Sequence, residues 1–238
     1  MIGVCMRNKE PTEYNHINDW GLHFNPNFDK YTNVVSSDIY GFHAPILNIS
    51  SKEGTNKMLE TVGYVSDYIK STQNKNNKDN KNTKNKNKEA YLTVHLHNGI
   101  PPEYDKLLEN LSSIVEYAKE KNVKICVENL RKGFSSNPYN ILKVVENCDC
   151  NITMDIGHTK YENRLDTVDL FAEYIHNVHV YENEVEGKHI APKNLDNLKP
   201  VLDRLLNYKK DFWLVELMDN TSCQNTKNML TNYIMKYD

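Results

Sequence analysis

The chain has 238 residues, of which 39% are hydrophobic, a length that α/β barrels commonly reach as one domain around a single closed core. Its formal charge of −3 includes a basic, Asn/Lys-rich insert at 73–88, and the rest of the chain has 23 basic and 31 acidic residues. This acidic balance disfavours nucleic acid as a partner. No apolar run approaches the roughly 20 residues that span a bilayer, and the start turns polar too early for a signal peptide, so we expect a cytoplasmic protein without a membrane partner.

Short apolar runs alternate along the chain with longer segments of helical spacing, which is typical of parallel β/α units. Seven runs predict strands: Ile2–Met6, Tyr40–His43, Tyr91–His95, Lys124–Glu128, Ile152–Asp155, Val178–Tyr181 and Phe212–Leu217. An eighth, weaker candidate at Trp20–Phe24 precedes a plausible helix around Phe28–Ser36 and would complete an eight-stranded barrel. The predicted fold is therefore an α/β fold, a (β/α)8 TIM barrel formed by residues 1–238 as a single domain.

Helical periodicity is clearest before the fourth of these strands, where apolar residues recur at i, i+3, i+4 and i+7. This stripe consists of Leu107, Leu108, Leu111, Ile114, Val115 and Ala118. Further helices are predicted at Lys57–Lys70, Pro138–Glu146, Thr167–Tyr174, Leu195–Leu206 and Thr226–Met235. The insert at 73–88 follows a predicted helix and precedes a strand, which places it on the face of a barrel opposite the catalytic face. It has no aromatic residue to stack bases, which argues against a nucleic-acid tether. We predict a disordered surface loop there without a catalytic role.

Five cysteines are an odd number, and none of them forms a CxxC pair. Cys5 and Cys126 lie in apolar strand-like runs, where a free thiol packs as a small hydrophobe. Cys148 and Cys150 could bind metal, but the absence of a second pair nearby in the sequence favours a structural interpretation. The pattern predicts reduced cysteines in a reducing compartment.

Acidic and imidazole side chains recur at the ends of the apolar strands, in GFHAP, LTVHLH, CVENL, TMDIGH, NVHVYE and WLVELM. Barrels place catalysis at these carboxyl ends, and burying a lone carboxylate costs several kcal/mol. Several strand-end carboxylates that meet at one face of the barrel would therefore need a cation. Mixed Asp, Glu and His ligands without thiolates suit Mn, Zn, Co or Mg rather than a structural zinc site. The alternative is that a helix N-terminus or an arginine satisfies each carboxylate.

These motifs resemble the xylose-isomerase-like TIM barrels, which include sugar and sugar-phosphate isomerases and epimerases and the apurinic endonuclease of the fourth type. The most specific segments are ICVENL, MDIGHT, HVYEN and WLVEL, which look like the family's Glu on strand five, Asp-x-x-His on strand six, His on strand seven and Glu on strand eight. The resemblance implies that one or more divalent metal ions bind to Glu128, Asp155, His179 and Glu216. It also implies that His158 approaches the substrate or a second metal.

In the isomerases and epimerases of this superfamily, two glutamates flank the substrate carbon while the metal binds neighbouring oxygens. One glutamate removes a proton and the other returns it, because the metal-polarised carbonyl makes that proton acidic. The resemblance therefore implies Glu128 and Glu216 as the catalytic acid/base pair, assisted by His158. The expected partner is a small-molecule sugar or sugar phosphate.

Three further histidines resemble the endonuclease branch, through FHAPILNIS, LTVHLHNG and GKHIAP. They would place His43, His95 and His189 around additional metals, which in the endonuclease activate water and stabilise a leaving phosphate oxygen. The chain departs from this pattern at two positions, because Gly187 stands where an Asp is expected and Glu182 replaces the aspartate of the strand-seven His-x-x-Asp. For His43, His95 and His158, a supporting hydrogen-bonded role is the alternative.

Three classes of function follow, led by a metal-dependent isomerase or epimerase. The second is a metal-dependent phosphodiester hydrolase of the endonuclease type. The short chain argues against it, and so does the presence of only four arginines, because arginines are the usual phosphate anchors. The third is a non-catalytic, ligand-binding barrel, against which the intact pair Glu128 and Glu216 speaks. Arg131 and Lys188 are either phosphate contacts or solvated surface charges. Tyr181 is expected to pack at the barrel rim, and the oligomeric state leaves no mark in the sequence.

Overall fold

The computed structural model describes residues 2–5, 18–21, 39–79 and 89–237. Eight parallel strands close into one barrel in the order β1-β10-β7-β6-β5-β4-β3-β2. They are β1 Ile2–Cys5, β2 Asn18–Gly21, β3 Ile39–His43, β4 Glu89–Val94, β5 Val123–Glu128, β6 Asn151–Asp155, β7 Ile175–Val180 and β10 Trp213–Val215. The predicted TIM barrel is therefore confirmed. Two short strands, β8 Asn183–Val185 and β9 Lys188–Ile190, form a separate antiparallel hairpin after β7.

Six helices of the described chain cover the barrel: α1 Lys52–Asp79, α2 Tyr104–Glu120, α3 Pro138–Cys148, α4 Arg164–Phe171, α5 Lys199–Asn207 and α6 Asn220–Ile234. The stripe predicted from the sequence is the buried face of α2, except that Leu108 is partly exposed. Local signals also set the bounds of α3. It begins where Asn137 caps the Tyr139 N–H and Pro138 occupies the first turn, and it ends where Asp149 adopts a left-handed conformation.

The barrel interior changes from apolar to polar towards the carboxyl ends of its strands. A hydrogen-bonded layer joins the hydroxyls of Thr93 and Thr153, 2.9 Å apart, and continues from Thr153 to Oδ1 of Asn177 at 2.9 Å. All three of these residues are fully buried. Thr153 and Asn177 lie two residues before Asp155 and His179, so this layer lies below the strand ends, and within it Nδ2 of Asn177 has no hydrogen-bond partner among the described residues.

Two sequence predictions require correction. The helix predicted at Lys57–Lys70 is the 28-residue α1, which continues to Asp79, so the first part of the insert is helical rather than a loop. Of residues 71–79, only Gln73, Lys75 and Lys78 are good helix formers, so helix propensity does not explain the extension. Adding residues to a helix that is already formed requires no new nucleation. The weak strand predicted at Trp20–Phe24 is β2, which begins earlier, at Asn18. The predicted helix at Phe28–Ser36 and the remainder of the insert at 80–88 lie outside the described residues.

The cysteines agree with the sequence analysis. All five are buried and none forms a disulfide, as expected for side chains that pack as small hydrophobes. Among the described helices, none is both long and apolar enough to cross a bilayer.

Candidate functional site

Four strand ends bring Glu128, Asp155, His179 and Glu216 into one cluster, which we call the central cluster. One ligand atom from each lies within 4.8 Å of the others, and each residue is at most 2% exposed. His179 Nδ1 lies 3.0 Å from Oε1 of Glu128, 3.0 Å from Oε2 of Glu216 and 3.8 Å from Oδ2 of Asp155. Three carboxylates therefore surround a single buried imidazole.

The central cluster carries a strong negative potential. Burial raises the pKa of Asp155, although the positive charge of His158 opposes this shift. Burial would lower the pKa of His158, but the charges of Asp155 and Glu128 outweigh it and raise that pKa to about 9. A negative potential strong enough to hold an imidazole protonated also favours a divalent cation, and these oxygen and nitrogen donors suit one chemically.

Asp155 is fixed in position by contacts to both its backbone and its side chain. The Asn129 side chain accepts a hydrogen bond from the Asp155 N–H at 2.8 Å and donates one to the Asp155 carbonyl at 2.9 Å. The carboxylate accepts from the His158 N–H at 2.8 Å and from the Tyr181 hydroxyl at 3.0 Å. Asn129 follows Glu128 directly, so the end of β5 aligns the end of β6.

Glu128 is shared between the central cluster and a second group of possible metal ligands, made of His43, His95 and Glu128. Its Oε2 lies 3.1 Å from Nε2 of His43 and 2.7 Å from Nε2 of His95. Burial would raise the pKa of Glu128, but the charge of His179 and hydrogen bonds from all three imidazoles hold it well below its ordinary value. His97 lies apart from this group, in the loop after β4, where its Nδ1 accepts the Gly99 N–H at 3.1 Å.

A third group of possible ligands combines His158 with Glu184 and His189 of the β8–β9 hairpin. His158 Nε2 lies 2.9 Å from Oε2 of Glu184, and its Nδ1 contacts the Asn129 carbonyl at 2.9 Å. His189 Nδ1 donates to the Glu216 carbonyl at 2.6 Å, and its ring stacks on Tyr181 with centroids 3.9 Å apart. The sequence analysis missed Glu184. Its position five residues before His189, across a turn containing Gly187, is the signal that could have indicated it.

Glu182, by contrast, faces away from the three groups and holds the base of the hairpin. Its carboxylate accepts hydrogen bonds from the Tyr161 hydroxyl and, at 2.8 Å, from the Asn197 amide. Arg164, which is 2% exposed, donates from Nη2 to the Glu182 carbonyl at 2.6 Å and from Nε to the Thr159 carbonyl at 3.3 Å. Arg164 thus ties the loop that carries His158 to the hairpin that carries Glu184.

Tyr181 is fully buried and packs closely against Gly157, as the sequence predicted for a residue at the barrel rim. A Cβ at position 157 would overlap the Tyr181 ring, whose hydroxyl positions Asp155. We expect Gly157→Ala to destabilise the fold by about 1–3 kcal/mol and to weaken metal binding at the central cluster.

Gly63→Ala is the matched control for this substitution. It lies within α1, where the nearest atom to an added Cβ is the Tyr117 hydroxyl at 3.5 Å, so we expect stabilisation of about 0.5–1 kcal/mol. Urea unfolding of both variants provides the comparison. Equal stability of Gly157→Ala and wild type would contradict the tight packing described here.

The two cations considered as phosphate contacts lie in different places. Arg131 lines an open groove beside His158, between the loops that follow β5 and β6. Lys188 is an exposed residue of β9 and is not among the residues that line this groove.

The comparisons with known proteins agree with this fold. The family model described as a xylose isomerase-like TIM barrel matches residues 89–223, more than half of the chain. The chain belongs to the xylose isomerase-like TIM barrel family. This xylose isomerase-like barrel is also 42% identical to an uncharacterized protein of Methanocaldococcus jannaschii, over 240 residues that cover 100% of this chain and 97% of the relative.

Solved structures similar to this xylose isomerase-like barrel include sugar epimerases. A D-tagatose 3-epimerase-like protein matches with a TM-score of 0.71 and 22% identity, covering 98% of this chain and 97% of that one. A D-psicose 3-epimerase determined in the presence of D-fructose matches with a TM-score of 0.67 and 12% identity, covering 98% of each chain. At these identities the likeness establishes the shared fold.

Proposed function

We propose that this chain is a divalent-metal-dependent isomerase or epimerase that acts on a sugar or sugar phosphate. The observation that carries the proposal is the placement of two buried glutamates, Glu128 and Glu216, each 3.0 Å from Nδ1 of His179. They come from the carboxyl ends of β5 and β10, which are not neighbours in the barrel. Two carboxylates that approach a common centre from different strands can serve the two faces of one substrate carbon.

The metal would be held by Glu128, Asp155, His179 and Glu216, whose donor atoms suit Mn, Zn, Co or Mg. When bound, it supplies a Lewis acid that polarises a substrate carbonyl and makes the neighbouring C–H bond acidic. Asn129 and Tyr181 hold the Asp155 carboxylate in place, so the geometry of this ligand does not depend on the substrate.

In this proposal, glutamate side chains of the protein accept and return the proton. Glu128, whose pKa lies well below its ordinary value, is ionised at neutral pH, and its two oxygens are oriented by His43, His95 and His179. Glu216 is the second proton carrier. His158 lines the open groove beside the cluster, and its Nε2 contacts Glu184 Oε2 at 2.9 Å. A substrate oxygen that replaces this Glu184 contact would accept a hydrogen bond from Nε2.

The test is proton exchange. The metal-loaded protein would be incubated in deuterated water with a panel of ketoses and their phosphates, and deuterium at the carbon next to the carbonyl would be followed by NMR. We expect deuterium incorporation or an epimer from at least one member of the panel, and epimer formation at least about 100-fold slower in the Glu216→Gln variant. Turnover that persists at the wild-type rate in Glu216→Gln would contradict the assigned role.

A second candidate function, a metal-dependent phosphodiester hydrolase, is favoured by a specific observation. The three groups of possible ligands adjoin one another, since Glu128 belongs to two of them and His158 contacts the carboxylate of Asp155. A site that takes more than one ion suits phosphate chemistry, in which charge develops on two oxygens. Glu184 supplies the third group with a carboxylate, although the sequence position that the endonuclease uses holds Gly187.

An oligonucleotide with a single abasic site tests this candidate. Cleavage beside the abasic site that stops in both His43→Ala and His189→Ala would support hydrolysis. Complete resistance of the oligonucleotide, together with proton exchange on a ketose, would reject it in favour of the isomerase.

A further inference from the structure

We propose that the groove between α3 and α4 is an anion subsite in which Arg131 and Lys160 bind a phosphate substituent of the substrate. This inference rests on the proposed isomerase or epimerase function and names its substrate class, a phosphorylated sugar. The groove begins at His158 and Asn129, beside the central cluster, and has a volume of about 760 Å³. It is therefore large enough for a substituent that projects from the reacting carbon skeleton.

The walls of the groove come from two loops and the helices that follow them. The loop after β5 contributes Arg131 and Ser136, and the loop after β6 contributes Lys160 and Asn163. The first turns of α3 and α4 complete the walls. Because every helix of a TIM barrel begins at the carboxyl end of a strand, both helices present the positive ends of their dipoles here.

Charge in the groove favours an anion. The side chains of Arg131 and Lys160 are exposed, and neither forms an ion pair or hydrogen bond with a described residue. Of the two aspartates that line the groove, Asp169 is neutralised by an ion pair with Arg204, which leaves Asp166 opposite two cations.

The position of the groove relative to the chemistry identifies which part of the substrate it would hold. His158 lines the groove and also contacts Asp155 and Glu184, so a sugar bound at the central cluster would meet the groove at this residue. TIM barrels often bind phosphate after the seventh and eighth strands. Here the segment after β10 instead presents Glu216 and Asp219, and Asp219 already accepts the Ser222 N–H at 2.8 Å to cap α6.

A phosphate in this groove would accept charge-assisted hydrogen bonds from Arg131 and Lys160, so we expect phosphorylated ketoses to bind about tenfold or more tightly than their unphosphorylated counterparts. Tyr139, which is 63% exposed at the same wall, provides an apolar face for the carbon chain that carries the phosphate.

The experiment measures binding by titration calorimetry on the metal-loaded full chain, with each ketose supplied with and without its terminal phosphate. The double variant Arg131→Ala/Lys160→Ala is compared with Lys132→Ala, which removes an exposed cation that does not line the groove. We expect the double variant to lose the preference for the phosphate while it still binds metal and unphosphorylated sugar. Lys132→Ala should keep the preference.

Equal binding of phosphorylated and unphosphorylated ketoses by the wild type would overturn the subsite, and so would a preference that survives in the double variant. Either outcome leaves the proposed function standing if proton exchange is observed. A short oligonucleotide serves as the second probe. If it binds more tightly than every ketose phosphate, and loses affinity in the double variant, then the groove holds a nucleic-acid phosphate and the small-molecule assignment is overturned.

Discussion

Replacing Glu216 by glutamine is expected to lower turnover by about 100- to 10,000-fold, the usual contribution of a positioned general acid or base. Glutamine preserves the size of the side chain and one carbonyl oxygen, but it cannot accept or return a proton. Glu128→Gln should have an effect of the same order, because the proposed reaction needs a proton carrier on each face of the substrate. The measurement is the rate of proton exchange at saturating metal and substrate.

Glu186→Gln is the matched control for these variants. Glu186 is an exposed residue in the turn of the β8–β9 hairpin and belongs to none of the three ligand groups, so its loss should leave the rate unchanged. Metal content is measured for all variants at the same time, because Glu128 and Glu216 also belong to the central cluster. A fully metal-loaded Glu216→Gln with wild-type turnover would exclude Glu216 as a proton carrier.

The second large effect concerns stability. A ligand that binds the folded state at about 100 to 1,000 times its dissociation constant stabilises the fold by roughly 2.7 to 4.1 kcal/mol. For a chain of this size each kcal/mol corresponds to about 2–4 °C. We therefore expect a chelator to lower the Tm of the metal-loaded protein by roughly 10 °C, because it leaves three carboxylates to repel one another in a buried site.

The Asp155→Asn variant shows whether this loss arises at the central cluster. The asparagine oxygen can still accept the His158 N–H, and its amide can donate to the Tyr181 oxygen in place of the bond that Tyr181 now donates, but the substitution removes one of the three buried charges. Its Tm should respond little to the chelator, and without metal it should equal or exceed that of the wild type. A chelator effect of undiminished size in Asp155→Asn would place the stabilising metal elsewhere.

The barrel itself could be predicted from the sequence because its strands are short apolar runs that end in polar residues. Glu128 and Asp155 are the last residues of β5 and β6, and the carboxyl ends of parallel strands meet at one face. Their approach to each other follows from the fold alone. Their hydrogen-bond partners do not, because these depend on side-chain conformations that spacing does not determine.

The sequence did not show which of Glu182 and Glu184 lies in the candidate site. Both lie just after β7, two residues apart, and composition alone does not distinguish them. The β8–β9 hairpin turns Glu184 towards His158, whereas Tyr161 and Asn197 hold Glu182 outside the site. The hairpin strands are three residues each, too short to produce a clear alternation of apolar and polar residues.

The length of α1 was underestimated for a related reason. The apolar stripe that indicates a helix ends near Lys70, because beyond this point the sequence is polar on every side. The helix continues to Asp79 because its first turns are already formed, and adding residues to a formed helix requires no new nucleation. Sequence periodicity reports the part of a helix that packs against the barrel, and it does not report an extension beyond it.

The most direct test of the central claim is the metal content of the purified chain, measured by elemental analysis after exposure to Mn, Co, Zn or Mg and removal of free ions. We predict at least one equivalent per chain in the wild type, its loss in Glu216→Ala, and its retention in Glu186→Gln. Two or three equivalents of Zn would favour the hydrolase over the isomerase. A wild-type chain that binds none of these metals would contradict the account, since three buried carboxylates would then need another source of stabilisation.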